Sequence, residues 1–290
     1  MSIAITAGST IDLTPELREK FDIKIAHFYL EKDGHAMPDD AMPVQDMFAY
    51  TEKTGQMCHT SAPSVGDIET LFEEELKTHE GIIHFSMSSG LSACHANAVL
   101  AAKGNPNIKC VDVHGTSGTI ALLAMWARKL IDAGYPLEEV YRSCVERNQS
   151  AQCSFIISEL NYLYRGGRCG KLALLGANLL KLRPVIVTGK DGKFATGKKF
   201  RGPIRKCILS YVDDLLHSYS NFDYSCAYIN YSWLEDPSVI QDVIAKAKEA
   251  GFKEVIETQA SPTNGYHAGP NVLGFQFLYD GEHTVKPYKE

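Results

Sequence analysis

The sequence predicts an α/β protein: a parallel sheet in its N-terminal lobe, then a second α/β lobe. Two observations carry this. Short apolar runs alternate with helix-like segments through the first 150 residues, the pattern of strands joined by crossover helices. Beyond that point a hairpin pattern interrupts the alternation before it resumes. With 290 residues, 44% hydrophobic and 22% charged, the chain can bury a sizeable core without staples. The expected division is 1–150 and 151–290.

In chain order, residues 2–7 and 23–30 are apolar runs that read as strands. Residues 43–54 and 65–77 read as helices, the second opened by a capping pattern, Ser64 with Asp67. Strand 81–86 runs into Ser88-Ser89-Gly90, and a helix follows over 91–103, ended by Gly104-Asn105-Pro106. Residues 108–113 are strand-like, 116–133 form a helix apolar on most faces, and 136–148 form another. In the second half, 151–158 is a strand, and 159–164 and 169–180 are helical around Arg165-Gly166-Gly167-Arg168. Residues 183–188 and 194–200 pair as a hairpin. Helix 203–219, strand 224–231, helix 237–250, strand 254–258 and strand 275–279 complete the chain.

Composition excludes several classes. Lys plus Arg is 29 and Asp plus Glu is 35, a net charge of −6, and no basic block argues for nucleic acid. The N-terminus lacks a basic region and a long apolar core, so no signal peptide is expected. The longest apolar stretch, 172–187, is broken by Asn178, Lys181, Arg183 and Pro184, so no integral membrane segment is expected. Eight scattered cysteines suit a reduced, cytoplasmic protein. No long apolar stripe is left over, which favours a monomer.

Four segments could carry chemistry. Cys58-His59-Thr60-Ser61-Ala62-Pro63-Ser64 precedes a helix, and Ser86-Met87-Ser88-Ser89-Gly90-Leu91-Ser92 leaves the carboxyl end of a strand. Open α/β sheets bind ligands there. Hydroxyls beside helix N–H groups suit a small anion, although serines at these places also serve as plain caps. Glycines around His267 in Asn264-Gly265-Tyr266-His267-Ala268-Gly269-Pro270-Asn271 suggest a loop presenting an imidazole, or simply a turn residue. Arg165 and Arg168 on a glycine turn could hold an anion or a partner, or be solvated charges. Gly115-Thr116-Ser117-Gly118-Thr119 could be a phosphate loop, but a glycine-rich helix start suits it better. P-loop, G-x-G-x-x-G, C-x-x-C, H-E-x-x-H and G-x-S-x-G patterns are all absent. Neither a cofactor nor a metal site is expected.

Five blocks go further. Gly8-Ser9-Thr10-Ile11-Asp12-Leu13 follows D-S-[ST]-x-D-L after its first position, and Thr60-Ser61-Ala62-Pro63-Ser64 follows T-S-Q-P-S. Ser88-Ser89-Gly90-Leu91-Ser92 follows S-S-x-L-S. Leu163-Tyr164-Arg165-Gly166-Gly167-Arg168, ahead of a Leu-rich segment and Arg183-Pro184, follows a G-G-R block, and His267-Ala268-Gly269-Pro270 follows H-x-G-P-G. In this order and spacing the chain resembles the DegV family of fatty-acid-binding proteins.

The resemblance implies a two-lobed DegV-like fold holding a long-chain fatty acid, such as palmitate, stearate or oleate, between its lobes. It implies that Thr60 and Ser92 bind the carboxylate, with Ser61 in the same block and His267 close by. It implies that Arg168 and Arg201 serve a partner or the binding loop. Some members present the acid to a fatty acid kinase, which phosphorylates the carboxylate to an acyl phosphate for phospholipid synthesis; the carrier itself is not the catalyst. Departures occur at Gly8, Ala62, Ala93-Cys94 and Asn271, which bear on chain-length preference and kinase docking.

The physics suits a carrier. Each buried CH₂ contributes about 0.8 kcal/mol, so about fourteen offer roughly 11 kcal/mol before ordering costs. Apolar supply exists in Leu172, Leu174, Leu175, Leu179, Leu180 and Leu182, and in Leu122, Leu123, Met125 and Trp126, although most of these are plain core. The Thr60 and Ser92 blocks contain no Lys or Arg, which predicts a neutral head site. Two rivals remain. A serine acyl hydrolase or transferase would use Ser92 as nucleophile, His267 as base and Asp12 as a formal acid. A plain binding module would take another carboxylate or a phosphorylated lipid.

Overall fold

The computed structural model describes residues 2–169 and 182–288. The N-terminal sheet holds β1 (Ile3–Gly8), β2 (Ile23–Ala26), β6 (Gly81–Ser86) and β7 (Ile108–Asp112), in the order β2-β1-β6-β7, all parallel. β1 and β6 are buried along their whole length, as central strands covered on both faces must be. Alternation divides their side chains. Ala4 and Ile82 face α3 (Val65–Glu75) and α4 (Cys94–Ala102), where Ile68, Phe72 and Ala98 pack. Ile3, Ile5, Ile83 and Phe85 face α5 (Gly118–Asp132) and α6 (Leu137–Asn148).

α5 is apolar nearly all round because it lies between two sheets, touching β1 and β6 on one side and the second sheet on the other. That second sheet is mixed. Its order is β11-β10-β9-β14-β12-β13: β11 (Phe194–Arg201), β10 (Leu182–Thr188), β9 (Ser154–Ile156), β14 (Leu273–Leu278), β12 (Cys226–Tyr231) and β13 (Glu254–Gln259). A two-residue strand, β8 (Ala151–Gln152), also pairs with β14. Helices α8 (Ile204–Ser218) and α9 (Val239–Glu249) cover its outer face through Ile208, Tyr211, Val212 and Val243. The α/β class, the parallel N-terminal sheet and the 183–200 hairpin are as expected from sequence.

Several expectations need correction. The 23–30 strand is two strands: β2 ends at Ala26, and β3 (Tyr29–Lys32) turns away to pair with β4 (His35–Pro38) and β5 (His59–Ser61) in a small antiparallel sheet. Helix α1 (Pro15–Lys20), capped by Thr14 with Pro15 at its first position, was not expected. The 91–103 helix begins at Cys94, and 116–133 begins at Gly118, so the Gly115–Thr119 segment is a helix start. Residues 264–271 are not simply a loop: helix α10 (Pro262–Ala268) carries His267. Residues 170–180 of the expected helix 169–180, with Leu172, Leu174, Leu175, Leu179 and Leu180, lie outside the described residues. Ser64 and Asp67 form the expected capping box.

The two sheets are also joined by polar links. Asn264 Nδ2 donates to the Thr10 carbonyl and to both carboxylate oxygens of Asp12, whose Oδ1 also accepts from the Ser261 N–H. Asp39 accepts from Ser9 Oγ at 3.0 Å and from Thr263 Oγ1 at 2.8 Å. The Ser88 hydroxyl donates to the Gly192 carbonyl at the hairpin tip, 2.8 Å away.

Candidate functional site

Three segments converge between the sheets. β5 presents Thr60 through its pairing with β3, Leu30 opposite Thr60. Asn97 of α4 donates to the Pro63 carbonyl at 2.8 Å, which draws the Thr60 segment toward the turn containing Ser92. That turn is pinned by Asp112 at the end of β7, which accepts from the Ser89 N–H and hydroxyl at 2.8 and 2.6 Å. The Ser92 hydroxyl accepts from the Cys94 N–H at 3.2 Å and keeps its own proton free to donate.

The third segment is α10. Ser261 caps it by accepting from the Asn264 N–H, and Pro262 occupies its first turn. Tyr266 is fully buried against Phe48 and Tyr162, its hydroxyl paired with Thr51 and accepting from the Cys58 N–H. This anchor fixes the neighbouring His267, whose Nε2 lies 2.7 Å from Thr60 Oγ1. Burial, with a smaller push from the Arg168 charge, lowers the His267 pKa to about 3, so the ring is neutral near pH 7. Its Nδ1 is buried without a hydrogen-bond partner among the described residues.

The G-G-R block closes the site. α7 (Asn161–Arg165) ends in a turn whose Gly167 has φ +75°. A Cβ at Gly166 would stand 2.3 Å from His267 Nδ1, so only glycine lets the imidazole lie against the turn. Arg168 is partly buried, its Nη1 donating to the Gly166 carbonyl at 2.5 Å. No carboxylate among the described residues pairs with it, and desolvation lowers its pKa.

One cavity of about 740 Å³, its mouth included, receives all of this. Thr60, Ser61, Ser92, Arg168 and His267 line it together. Its apolar wall includes Phe28, Met87, Leu91, Phe155, Leu163, Phe194 and Val272. An apolar wall with a few convergent polar groups is the make-up of a small-molecule pocket. The expected neutral head site is corrected: the Thr60 and Ser92 segments are uncharged, but Arg168, 76 residues beyond Ser92 in sequence, adds a guanidinium to the same wall. Arg201 is exposed on edge strand β11 and does not line the cavity. Leu122, Leu123, Met125 and Trp126 belong to the core around α5, and Leu182 is likewise absent from the wall.

Sequence reasoning missed Asn264, Asn230, Gln276, Ser232 and Thr263, all on the wall. For Asn264 and Thr263 a signal existed: Ser261-Pro262 is a helix-start pair that the nearby glycines obscured. The constellation a serine hydrolase needs is not made. His267 Nε2 bonds to Thr60 rather than Ser92, its Nδ1 meets no carboxylate among the described residues, and Asp12 is engaged with Asn264 and Ser261. Burial raises the Asp12 pKa to about 6 against those hydrogen bonds. No group of three or more His, Cys, Asp or Glu among the described residues could hold a metal ion, and none of their helices is long and apolar enough to cross a membrane.

Comparison with known proteins agrees with this architecture. The profile described as "Uncharacterised protein, DegV family" matches residues 2–280. A Thermotoga maritima protein named as a fatty acid-binding protein is 32% identical over 222 residues, 74% of this chain and 76% of that one. A Thermus thermophilus DegV family structure described as fatty acid binding superposes with a TM-score of 0.84 at 23% identity, covering 96% of this chain and 100% of that one. The Streptococcus pneumoniae fatty acid kinase B3 protein, loaded with linoleic acid, superposes with a TM-score of 0.82 at 20% identity, covering 97% and 100%. With its profile matched over nearly the whole length and its two-sheet fold reproduced, this chain belongs to the DegV family.

Proposed function

We propose that this protein binds a long-chain fatty acid non-covalently and hands it on unreacted. One observation carries the reading: a single cavity combines an apolar wall with Thr60, Ser92, His267 and Arg168. In this reading the carboxylate accepts from the Thr60 and Ser92 hydroxyls. It also neutralises the Arg168 guanidinium, which otherwise is desolvated with no carboxylate beside it among the described residues. His267, uncharged, orients the Thr60 hydroxyl instead of competing for the acid, and Ser61 borders the mouth. The acyl chain lies along Phe28, Leu91, Phe155 and Phe194. Residues 1–150 supply the Thr60 and Ser92 hydroxyls of the carboxylate site, to which Arg168 and His267 of 151–290 are added, and both parts border the chain.

A carrier must leave its cargo's reactive oxygen available. Hydroxyl and guanidinium donors hold a carboxylate without forming a bond to it, which suits delivery to a fatty acid kinase. The kinase-linked Streptococcus pneumoniae protein supports that partner. Arg201, outside the cavity and exposed, is offered as a docking contact for the kinase. The protein acts in this reading as a cytoplasmic monomer without cofactor or catalytic residue.

The test is retention. Protein purified from cells should carry a long-chain acid detectable by native mass spectrometry. The double variant Thr60→Ala, Ser92→Ala should come out empty while keeping its fold. Full retention by that variant overturns the assignment.

A further inference from the structure

We propose that the preferred acid carries a hydroxyl partway along its chain, received by Asn230 and Gln276. This rests on the fatty-acid reading above and narrows its ligand class. β12 and β14 run antiparallel, with Tyr228 opposite Gln276 and Asn230 opposite Gly274. Asn230 and Gln276 are therefore diagonal neighbours on one face of the sheet, and both line the cavity.

Both amides are under-satisfied. Gln276 is fully buried, and among the described residues neither its Oε1 nor the buried Oδ1 of Asn230 meets a donor. Among the described residues the Gln276 Nε2 has a 3.9 Å contact with the Cys153 sulfur and no closer acceptor. Two glycines make room for them: a Cβ at Gly118 would stand 2.4 Å from Gln276 Oε1, and one at Gly274 would stand 2.4 Å from Asn230 Oδ1. A wall meant only for hydrocarbon would be better built from Leu or Met, since buried polar atoms without partners are unfavourable.

The chemistry of the missing partner follows. Arg168 is the one charged side chain among the described residues of the wall, so the carboxylate belongs there and the amides call for an uncharged group. Phe155, Phe194 and Val272 of the same wall require the rest of the chain to be apolar. A hydroxyl both donates and accepts, so it answers two carboxamides whichever way each is turned.

Stearate and a series of hydroxystearates, differing in the carbon that bears the hydroxyl, would be titrated calorimetrically into delipidated protein. One position should bind about tenfold or more tighter than stearate, because a site built for a hydroxyl discriminates against the analogue lacking it. Asn230→Leu and Gln276→Met, each close in volume to the original, should bind stearate at least as well as wild type and lose that preference. The proposal is overturned if no hydroxyl position exceeds stearate, or if the preference survives both substitutions. Stearate binding without any preference leaves the fatty-acid reading intact; failure of every acid to bind removes both.

Discussion

Thr60 and His267, 207 residues apart, share a hydrogen bond of 2.7 Å between Oγ1 and Nε2. The bond joins the small antiparallel sheet to α10 on the wall of the cavity. It can form because Tyr266 is locked by Thr51 and Cys58 and because Gly166 leaves space behind the ring.

Thr60→Val keeps the shape and removes the hydroxyl. A hydrogen bond to a charged group contributes about 1.5–3 kcal/mol, so affinity for palmitate should fall about tenfold to a hundredfold by calorimetry. Unchanged affinity would place the carboxylate elsewhere.

Gly166→Ala drives a methyl group into the His267 ring. The imidazole or the turn must move, at about 1–3 kcal/mol of stability. We expect a lower Tm together with weaker acid binding. Wild-type values for both would mean that the turn yields without disturbing the site.

Acid should weaken the fold through its buried imidazoles. His84, buried and 2.8 Å from Thr6 Oγ1, has its pKa lowered to about 3 by burial and by nearby His95, matching His267. The unfolded chain takes up these protons near pH 6.5 and the folded one only near pH 3. Stability from both groups is complete above about pH 6.5 and is lost as pH falls toward 3, by about 1.4 kcal/mol per pH unit for each. Asp12 opposes this, since its raised pKa favours the folded state as pH falls from about 6 to 3.8. Urea denaturation between pH 7 and 4 should show net destabilisation, with a shallower slope in His84→Gln. Ring-nitrogen NMR should show no His267 titration near pH 6.5.

Arg147 is 4% exposed, bonded to Asp223 and Asp280 at 2.6 and 2.7 Å and stacked 4.4 Å from Trp126. Arg147→Met strands the buried Asp223 carboxylate, at about 3–5 kcal/mol. Adding Asp223→Asn should recover part of the lost Tm. Absence of any recovery would assign the loss to Trp126 packing instead.

Legibility followed range. The continuous apolar runs of β1 and β6, the Ser64–Asp67 capping box and the Lys190-Asp191-Gly192-Lys193 hairpin are local patterns, and they read correctly. α10 carried a local signal too, Ser261 followed by Pro262, but Gly265 and Gly269 suggested a loop. Arg168 gave no local sign that it would share a wall with Ser92. Asn230 and Gln276 sat inside apolar strands with nothing to mark the face they would take.

The sequence by itself determined the α/β class, the parallel N-terminal sheet and the five family blocks, because periodicity, capping and motif spacing act over a few residues. Only the tertiary structure decided that Thr60 meets His267, that Arg168 enters the cavity while Arg201 stays outside, and that two carboxamides interrupt an apolar wall. Those outcomes depend on how the two sheets pack across α5, which brings together side chains far apart in the chain and leaves the space between them.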